Sequence, residues 1–311
     1  MISRTVCVTG GAGFIGSHVA EAFLANGHRV LIVDDLSSGR KENVPPGAEF
    51  HELDIRSKEA ASLVRDAGVE VLVHHAAQMD VRCSVADPVH DASVNVVGTL
   101  NLLEAGRSGS LKQVIFASTG GAMYGEQETF PADEEHPARP LSPYGVAKLA
   151  VERYLYFYHE EYGIAATALR YANVYGPRQN PHGEAGVVAI FLDRLLAGRE
   201  TLINGDGLQT RDYVYVADVV AANLAALGRP GFGIYNVGTA RETSVVELYG
   251  LLAAAVGVTR PPGHGPAKQG EQRRSVITSA LLGRELGVRV GTALEDGLKK
   301  TAAWFTARAT K

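Results

Sequence analysis

A tyrosine and a lysine lie four residues apart, at Tyr144 and Lys148, a spacing that places both side chains on one face of a helix. A lysine ammonium beside a phenol stabilises the phenolate and lowers the tyrosine pKa towards a range useful for general base catalysis. The pair alone is a weak signal, because surface helices often carry it. Two hydroxyl residues, Ser118 and Thr119, follow the predicted strand 114–117. Since parallel strands end at one edge of a sheet, these side chains predict an acid–base site at that edge.

A glycine-rich segment near the N-terminus supplies a second motif. Gly11-x-Gly13-x-x-Gly16, extended by Gly10, follows a β-branched run and opens a predicted helix. Such glycines permit a tight turn, a close approach to a pyrophosphate and close helix–strand packing, while the helix N-terminus favours the anion. Asp34 ends the next strand, where a carboxylate can accept hydrogen bonds from ribose hydroxyls and would repel a 2′-phosphate. The motif therefore predicts a dinucleotide site that prefers NAD to NADP.

The elements that must position these motifs alternate along the first half of the chain. Apolar periodicity predicts helices near 13–26, 57–67, 92–107 and 142–162, separated by strands at 5–9, 29–33, 49–51, 71–74, 113–117 and 166–170. This alternation is typical of a Rossmann α/β fold with a doubly wound parallel sheet. From about Gly176 the chain is richer in glycine and proline. We therefore expect an NAD-binding domain over 1–175 and a smaller, interleaved substrate-binding region over 176–311, with about 210–240 returning to the first domain.

Composition excludes several classes of protein. The 311 residues are 46% hydrophobic and 21% charged, and the net charge of −4 argues against a nucleic-acid binder. The two cysteines, Cys7 and Cys83, show no metal-ligand spacing, and Cys7 lies in an apolar run that predicts a buried thiol rather than a disulfide. The first predicted strand begins too close to Met1 for a signal peptide, and no apolar run is long enough to span a membrane. We expect a soluble, cytoplasmic protein without metal.

The motifs, taken in order, resemble the extended short-chain dehydrogenase/reductase family, and most closely its UDP-glucose 4-epimerase branch. The resemblance covers most of the chain. It is carried by the segments 9–16, 74–77, 95–99, 118–125, 144–148, 169–178 and 209–218.

The resemblance implies a catalytic role for four residues. Tyr144 would take the proton of the sugar's 4-hydroxyl while a hydride passes from carbon 4 to NAD, and Lys148 would hold the nicotinamide ribose. Thr119 would hydrogen-bond the reacting oxygen. Ser118 is the alternative, because the loop through Gly120-Gly121 is one residue longer than in many relatives. The 4-keto sugar would then rotate and take the hydride back on its opposite face.

The resemblance also implies two sets of binding residues. The cofactor would contact Gly10, Gly13, Phe14, Ile15, Gly16, Asp34, Asp35, Ser38, Gly39, Asp54, Ile55, His75, Ala76, Ala77, Gln78, Asn95, Ala117, Tyr144, Lys148 and Tyr171. The UDP-sugar would contact Thr119, Tyr144, Asn173, Val187, Val188, Asn204, Arg211, Lys268 and Glu271. The planar fork of the Arg211 guanidinium suits a diphosphate.

Three positions in the substrate half bear on specificity. The family commonly has Arg-x-Gly-Asp where this chain has Lys268-Gln269-Gly270-Glu271, and an aromatic residue often stacks on the uracil where Asn204 stands. Ser275 occupies a position where bulk restricts N-acetylated sugars in the family. A small serine predicts activity on UDP-glucose and UDP-galactose, and also on UDP-N-acetylglucosamine and UDP-N-acetylgalactosamine.

The sequence also leaves three other classes of protein open. A UDP-uronate 4-epimerase or decarboxylase would need an added cation for the substrate carboxylate. A nucleotide-sugar 4,6-dehydratase needs an acid and a base after the catalytic hydroxyl, where this chain has Gly120-Gly121. A non-catalytic NAD-binding protein would tend to lose Tyr144 or Lys148, and both are present.

The family resemblance also implies a homodimer that packs through two long helices of each subunit. These would be the predicted helices near 92–107 and 144–162. The stripe Val151, Leu155 and Tyr158 fits such a seam. It fits an ordinary core face nearly as well.

Overall fold

The computed structural model describes residues 3–181, 186–267 and 272–309. Fourteen strands lie within these ranges: β1 Thr5–Thr9, β2 Arg29–Asp34, β3 Glu49–Glu52, β4 Val71–His74, β5 Gln113–Thr119, β6 Ala165–Tyr171, β7 Asn173–Tyr175, β8 Leu202–Asn204, β9 Thr210–Arg211, β10 Tyr213–Tyr215, β11 Phe232–Val237, β12 Thr243–Ser244, β13 Gly263–Gly265 and β14 Arg274–Ser275. The α-helices are α1 Phe14–Ala25, α2 Lys58–Asp66, α3 Val81–Ala86, α4 Pro88–Ala92, α5 Thr99–Arg107, α6 Pro143–Tyr162, α7 Val187–Leu196, α8 Val216–Ala226, α9 Val245–Ala255, α10 Ala280–Leu286 and α11 Leu294–Ala309. A 3₁₀ turn covers Lys41–Asn43, and a π-helical segment covers Ser93–Gly98.

Seven parallel strands form the central sheet, in the order β11-β6-β5-β4-β1-β2-β3. The chain winds outwards from β1 through β2 and β3, then returns to build β4, β5 and β6 on the other side of β1. The direction of winding therefore reverses between β1 and β4, which leaves a crevice at the carboxyl ends of these two strands. The predicted doubly wound Rossmann sheet is confirmed.

Helices cover both faces of this sheet, which explains its continuous hydrophobic strands. In β1, Val6 and Val8 face one layer, where they pack with Phe23 of α1 and Val219 of α8. The intervening Cys7 faces the other layer, with residues of α2, α5 and α6. Cys7 is buried with a free thiol, as predicted, and burial raises its pKa to about 12.

The second half of the chain divides its elements between the sheet and a separate core. Strand β11 pairs with β6 at the edge of the central sheet, and α8 packs against α1. A second apolar cluster gathers residues of α7, α9 and α11 around the parallel pair β7–β10. Two small sheets, β12-β9-β14 and β13-β8, complete this region. The domain division at residue 175 stays a prediction.

Two predicted elements differ from the structure. Strand β5 continues to Thr119, so Ser118 and Thr119 do not follow the strand but pair with Arg170 and Tyr171 of β6. The helix predicted over 92–107 begins earlier, because Pro88 starts α4 with Asp87 as its N-cap. It then continues through the π-helical segment into α5. The π-helical turn matters for the site, since such turns often place a functional side chain.

The stripe Val151, Leu155 and Tyr158 lies in the core, not on the surface. All three residues pack in the layer between α6 and the sheet. Of the two interpretations of this stripe, the core face is confirmed and the subunit seam is wrong, because the period of the stripe follows the sheet-facing side of α6.

A buried ion pair joins α6 to the sheet. The Arg170 guanidinium donates to both carboxylate oxygens of Glu152, at 2.9 and 2.6 Å. Ser118 Oγ donates to Glu152 at 2.6 Å, and Arg170 donates to the Tyr124 hydroxyl at 2.9 Å, which in turn donates to Asn236 at 2.7 Å. These contacts tie together α6, β5, β6 and β11 at the carboxyl edge of the sheet.

Among the described residues, no helix is long and apolar enough to cross a membrane. No group of three or more His, Cys, Asp or Glu side chains in the same ranges could hold a metal ion. The cytoplasmic location stays a prediction.

Replacing Glu152 by Gln should destabilise the protein by about 3 kcal/mol, because it leaves the buried Arg170 guanidinium without its counter-charge. Urea unfolding monitored by circular dichroism measures the free energy of unfolding. Glu160→Gln, on an exposed position of the same helix, is the matched control and should change it by less than about 0.5 kcal/mol. Equal losses in the two variants would contradict the role of the ion pair.

Candidate active site

The carboxyl ends of four neighbouring strands bring the predicted motifs together. Strand β1 leads into the glycine segment, β4 into His75 and Ala76, β5 ends at Thr119, and β6 ends at Tyr171. Helix α6 crosses beside β5 and carries Tyr144 and Lys148. Residues from five separate parts of the chain therefore surround the crevice between β1 and β4.

The glycine segment forms a turn that no larger residue would fit. Gly10 has a φ of +66°, and a Cβ there would lie 2.7 Å from the backbone nitrogen of Ala76. A Cβ on Gly16 would lie 2.2 Å from the Gly10 carbonyl oxygen. Gly13 is the N-cap of α1 and supplies no side-chain cap, so the first N–H groups of α1 are available to an anion. This cradle fits the pyrophosphate of a dinucleotide.

Asp34 is held rigidly beside the glycine turn. One of its carboxylate oxygens accepts a hydrogen bond from the backbone N–H of Ala12 and the other from that of Leu36, both at 2.9 Å. A Cβ on Gly39 would lie 2.7 Å from Asp34 Oδ1. Burial raises the pKa of Asp34, and the backbone hydrogen bonds oppose that shift. Each carboxylate oxygen keeps a lone pair with which it can bind a ribose hydroxyl.

Lys148 is buried at the end of β5, with 3% of its surface exposed. Its ammonium donates to the carbonyl oxygen of Ala117 at 2.8 Å and lies 5.7 Å from the centre of the Tyr144 ring. Burial lowers its pKa from 10.5 to about 8. A cation is therefore fixed next to the phenol that sequence spacing singled out, where it favours the phenolate.

The two candidate hydroxyls of β5 lie on opposite faces of the strand, because side chains alternate along it. Ser118 Oγ donates to the buried Glu152. Thr119 Oγ1 accepts from the backbone N–H of Ala122 at 3.2 Å, so its proton can still be donated. The geometry favours Thr119 over Ser118 as the group that meets a reacting oxygen.

The loop after β5 runs close to neighbouring residues, so a residue larger than glycine would have to displace their side chains. A Cβ on Gly120 would lie 2.4 Å from the Ile277 side chain, and one on Gly121 would lie 3.2 Å from Asn173 Oδ1. The extra residue of this loop therefore does not enter the crevice as a side chain.

A buried chain of hydrogen bonds runs beneath the crevice, and sequence reasoning missed most of it. Thr9 Oγ1 accepts from the N–H of Ala76 at 3.1 Å and lies 2.7 Å from His74 Nδ1. His74 Nε2 lies 2.8 Å from Thr99 Oγ1, which donates to the carbonyl oxygen of Asn95 at 2.7 Å. Burial lowers the pKa of His74 to about 3. The chain thus holds a neutral imidazole between the ends of β1 and β4.

The remaining predicted cofactor residues differ in their surroundings. Asp35 and Ser38 are exposed, and Asp54 is ion-paired with Arg56 at 2.5 Å. Asn95, in the π-helical segment, accepts from the N–H of Gln78 at 2.9 Å and donates to its carbonyl oxygen at 2.8 Å. The other residues of this set lie in the glycine turn or the start of α1, in the central strands or the loops that follow them, or in helix α6: Gly10, Gly13, Phe14, Ile15, Gly16, Asp34, Gly39, Ile55, His75, Ala76, Ala77, Ala117, Tyr144, Lys148 and Tyr171.

Apart from Thr119 and Tyr144, the predicted substrate residues come from the second half of the chain. Asn173 starts β7, Arg211 ends β9, and Arg211 is in register with Ser275 of β14. Asn204 ends β8, and its carbonyl oxygen accepts from Gln209 at 3.2 Å.

Four more residues are predicted to contact the substrate. Val187 and Val188 open α7, whose first N–H groups have no partner within the helix. Lys268 and Glu271 lie outside the described residues.

A doubly wound sheet with a glycine turn at its switch point and a Tyr–Lys pair beside it defines a Rossmann enzyme that binds a dinucleotide. The chain belongs to the NAD dependent epimerase/dehydratase family, whose model matches residues 6–238. The family and the NAD cofactor expected from the sequence are confirmed.

Three relatives match almost the whole chain. The UDP-glucose 4-epimerase of Mycolicibacterium smegmatis is 46% identical over 304 residues, covering 96% of this chain and 97% of that protein. The crystal structure of the Thermotoga maritima UDP-glucose 4-epimerase with UDP-glucose has a TM-score of 0.96 and 46% identity, covering 98% of this chain and 99% of that one. The Thermus thermophilus UDP-glucose 4-epimerase in complex with NAD has a TM-score of 0.92 and 45% identity, covering 97% and 99% of the two chains.

Replacing Lys148 by Met should change how stability depends on pH. The folded-state pKa of Lys148, about 8, lies below the unfolded value of 10.5. The buried charge therefore penalises the folded state fully below pH 8, and the penalty disappears as the pH rises to 10.5. The stability of the Met variant relative to the wild type should fall by about 2 kcal/mol between pH 7 and pH 10.

Urea titrations at a series of pH values provide the measurement. Lys299→Met, at an exposed position of α11, should follow the wild type at every pH. The difference in free energy of unfolding between Lys148→Met and the wild type should not be the same at pH 7 and pH 10. Equal differences would show that the pKa of Lys148 is not lowered in the folded protein.

Proposed function

We propose that this chain is a UDP-glucose 4-epimerase, which interconverts UDP-glucose and UDP-galactose with NAD through a transient 4-keto sugar. The observation that carries the proposal is the buried Lys148 ammonium, hydrogen-bonded to Ala117 and set beside Tyr144 at the end of β5. The near-complete match to UDP-glucose 4-epimerases at 45–46% identity supports the sugar nucleotide as substrate.

Three side chains would share the chemistry. When bound, NAD supplies a nicotinamide ring that takes the hydride from carbon 4 and returns it. Tyr144 would remove the proton of the 4-hydroxyl and give it back, and Lys148 would stabilise the phenolate form of Tyr144. Thr119 would donate a hydrogen bond to the reacting oxygen. Ser118 cannot serve equally well, because its proton is bound to Glu152.

The glycine turn and Asp34 would hold the cofactor. The N-terminus of α1 would bind the pyrophosphate, and Asp34 would accept hydrogen bonds from the adenosine ribose. Because Asp34 is fixed by the N–H groups of Ala12 and Leu36, it cannot swing aside for a 2′-phosphate. This favours NAD over NADP.

Epimerisation is favoured over dehydration by the loop after β5. Gly120 and Gly121 offer no side chain that can transfer a proton. On the substrate side, Arg211 and Asn173 would bind the diphosphate.

Replacing Tyr144 by Phe should reduce the turnover of UDP-galactose at least 100-fold, because the variant lacks the group that moves the proton. Conversion to UDP-glucose can be followed by coupling to UDP-glucose dehydrogenase. The variant should keep its fold, since the change removes only a hydroxyl.

Tyr156→Phe is the matched control, because Tyr156 is an exposed tyrosine on the same helix. It should turn over at the wild-type rate. Wild-type-like activity of Tyr144→Phe would remove Tyr144 from the mechanism, and an inactive wild type would refute the proposed reaction.

The sugar pocket should accept N-acetylated substrates. Ser275 is small and buried, and it lies in register with Arg211. We expect the wild type to epimerise UDP-N-acetylglucosamine as well as UDP-glucose. Ser275→Tyr should lose the acetylated substrate at least tenfold more than UDP-glucose, because the ring would fill the space of the acetyl group, whereas Ser275→Ala should keep both. No turnover of the acetylated sugar by the wild type would contradict this pocket.

We further propose a homodimer that packs through an exposed apolar face. This face is formed by contacting elements, α3, α4, the π-helical segment and α6. Its side chains are Val81, Val85, Val89, Val97, Val146, Tyr154 and Phe157. Contiguous apolar surface of this kind is unusual on a monomer.

Replacing Phe157 by Glu should shift the protein from dimer to monomer in light scattering coupled to size-exclusion chromatography, because a charge would be buried in the contact. Leu208→Glu, at an exposed leucine outside this face, should leave the mass unchanged. A wild type that elutes as a monomer would refute the proposed dimer.

A further inference from the structure

Asp91 is a buried carboxylate for which the proposed reaction has no use. It lies in α4 with 1% of its surface exposed. Its Oδ1 accepts from Gln78 Nε2 and from Asn95 Nδ2, both at 2.9 Å. Its Oδ2 is also buried and has no hydrogen-bond partner. A buried oxygen without a hydrogen-bond partner lowers the free energy of unfolding, so such oxygens are rare in folded proteins.

The two hydrogen bonds connect Asp91 to the predicted cofactor residues. Asn95 stands one helical turn after Asp91, in the π-helical segment, and exchanges two further hydrogen bonds with the backbone of Gln78. Asp91 thus extends the buried chain that runs through Thr99 and His74. Its carboxylate is fixed in place by groups that carry no charge.

Asp91 and Lys148 lie on two helices that pack against each other, α4 and α6. The Asp91 charge opposes the fall that burial causes in the pKa of Lys148, and Glu152 contributes less. Reciprocally, burial raises the pKa of Asp91, and its two hydrogen bonds, Lys148 and His90 oppose that rise.

The other groups around Lys148 do not supply a free negative charge. Glu152 is already neutralised by the bidentate contact with Arg170. His74 and His75, at the end of β4, are neutral because burial lowers the pKa of each to about 3. Tyr144 is uncharged until it gives up its proton.

We infer that Asp91 is a positioning residue that keeps Lys148 protonated while Tyr144 acts as the base. A fully buried lysine without a counter-charge loses its proton at neutral pH in documented cases. Neutral Lys148 could not stabilise the phenolate. The unpaired oxygen of Asp91 supplies the negative potential without forming a contact that would pull the ammonium away from Ala117. The inference rests on the proposed function only for its kinetic test.

The kinetic test compares the pH dependence of kcat/KM for UDP-galactose in the wild type and in Asp91→Asn. Asparagine keeps the shape and the acceptor oxygen for Gln78 and Asn95 but removes the charge. In Asp91→Asn, the alkaline limb of the profile should move to lower pH by roughly one unit. At pH values above the limb, kcat/KM should therefore be roughly tenfold lower than in the wild type. Below the limb, activity should change less than about threefold.

Asp87→Asn is the matched control. Asp87 caps the same helix through the N–H of His90, and asparagine is an equally good cap. Its alkaline limb should coincide with that of the wild type. An Asp91→Asn profile that keeps the wild-type limb, or that falls by one factor at every pH, would overturn the inference and leave Asp91 a structural residue.

A second readout does not depend on turnover. NMR of protein labelled with ¹³C at lysine Cε, with Lys148 assigned by its loss in Lys148→Met, measures the lysine pKa directly. It should be lower in Asp91→Asn than in the wild type, and equal values would overturn the inference. Asp91→Ser carries the same expectation if the asparagine variant does not fold. If the wild type is inactive but the Lys148 pKa is still lower in Asp91→Asn than in the wild type, only the proposed function is refuted.

Discussion

The bidentate ion pair between Glu152 and Arg170 fixes the geometry on which the candidate site depends. Helix α6 carries Tyr144 and Lys148, and the carboxylate that pairs with Arg170 of β6 lies one turn beyond Lys148. The same carboxylate accepts from Ser118, so the end of β5 and the helix are held by one group. Because both partners are buried, the pair contributes more to the uniqueness of this arrangement than to net stability.

The site that this anchor positions is electrostatically costly. It places an ammonium out of water against a carbonyl oxygen, where burial lowers the pKa of Lys148 to about 8. The same burial makes the site useful for catalysis, because a cation that is shielded from water stabilises a nearby phenolate far better than a solvated cation does. His74 and Asp34 are likewise held by neighbouring protein groups, His74 between Thr9 and Thr99 and Asp34 by two backbone N–H groups.

Much of this arrangement was predictable from local patterns. The glycine spacing and the i, i+4 pair of Tyr144 and Lys148 depend only on turn sterics and helical periodicity, so the sequence is sufficient to identify them. The face taken by Ser118 was not predictable, because it depends on a carboxylate 34 residues away. The same holds for Asp91, whose partners come from other elements. The stripe around Leu155 fitted a subunit seam and a core face alike, because periodicity defines a face but not what covers it.

In the proposed reaction, hydrogen leaves carbon 4 and returns to the same carbon without meeting solvent. The most direct measurement uses UDP-galactose deuterated at carbon 4, in ordinary water and with no NAD added beyond what the protein retains. Product analysis by NMR should find UDP-glucose with the deuterium still at carbon 4. UDP-glucose carrying ordinary hydrogen at that position would contradict the account, because it would mean that the hydrogen was exchanged as a proton rather than stored as a hydride.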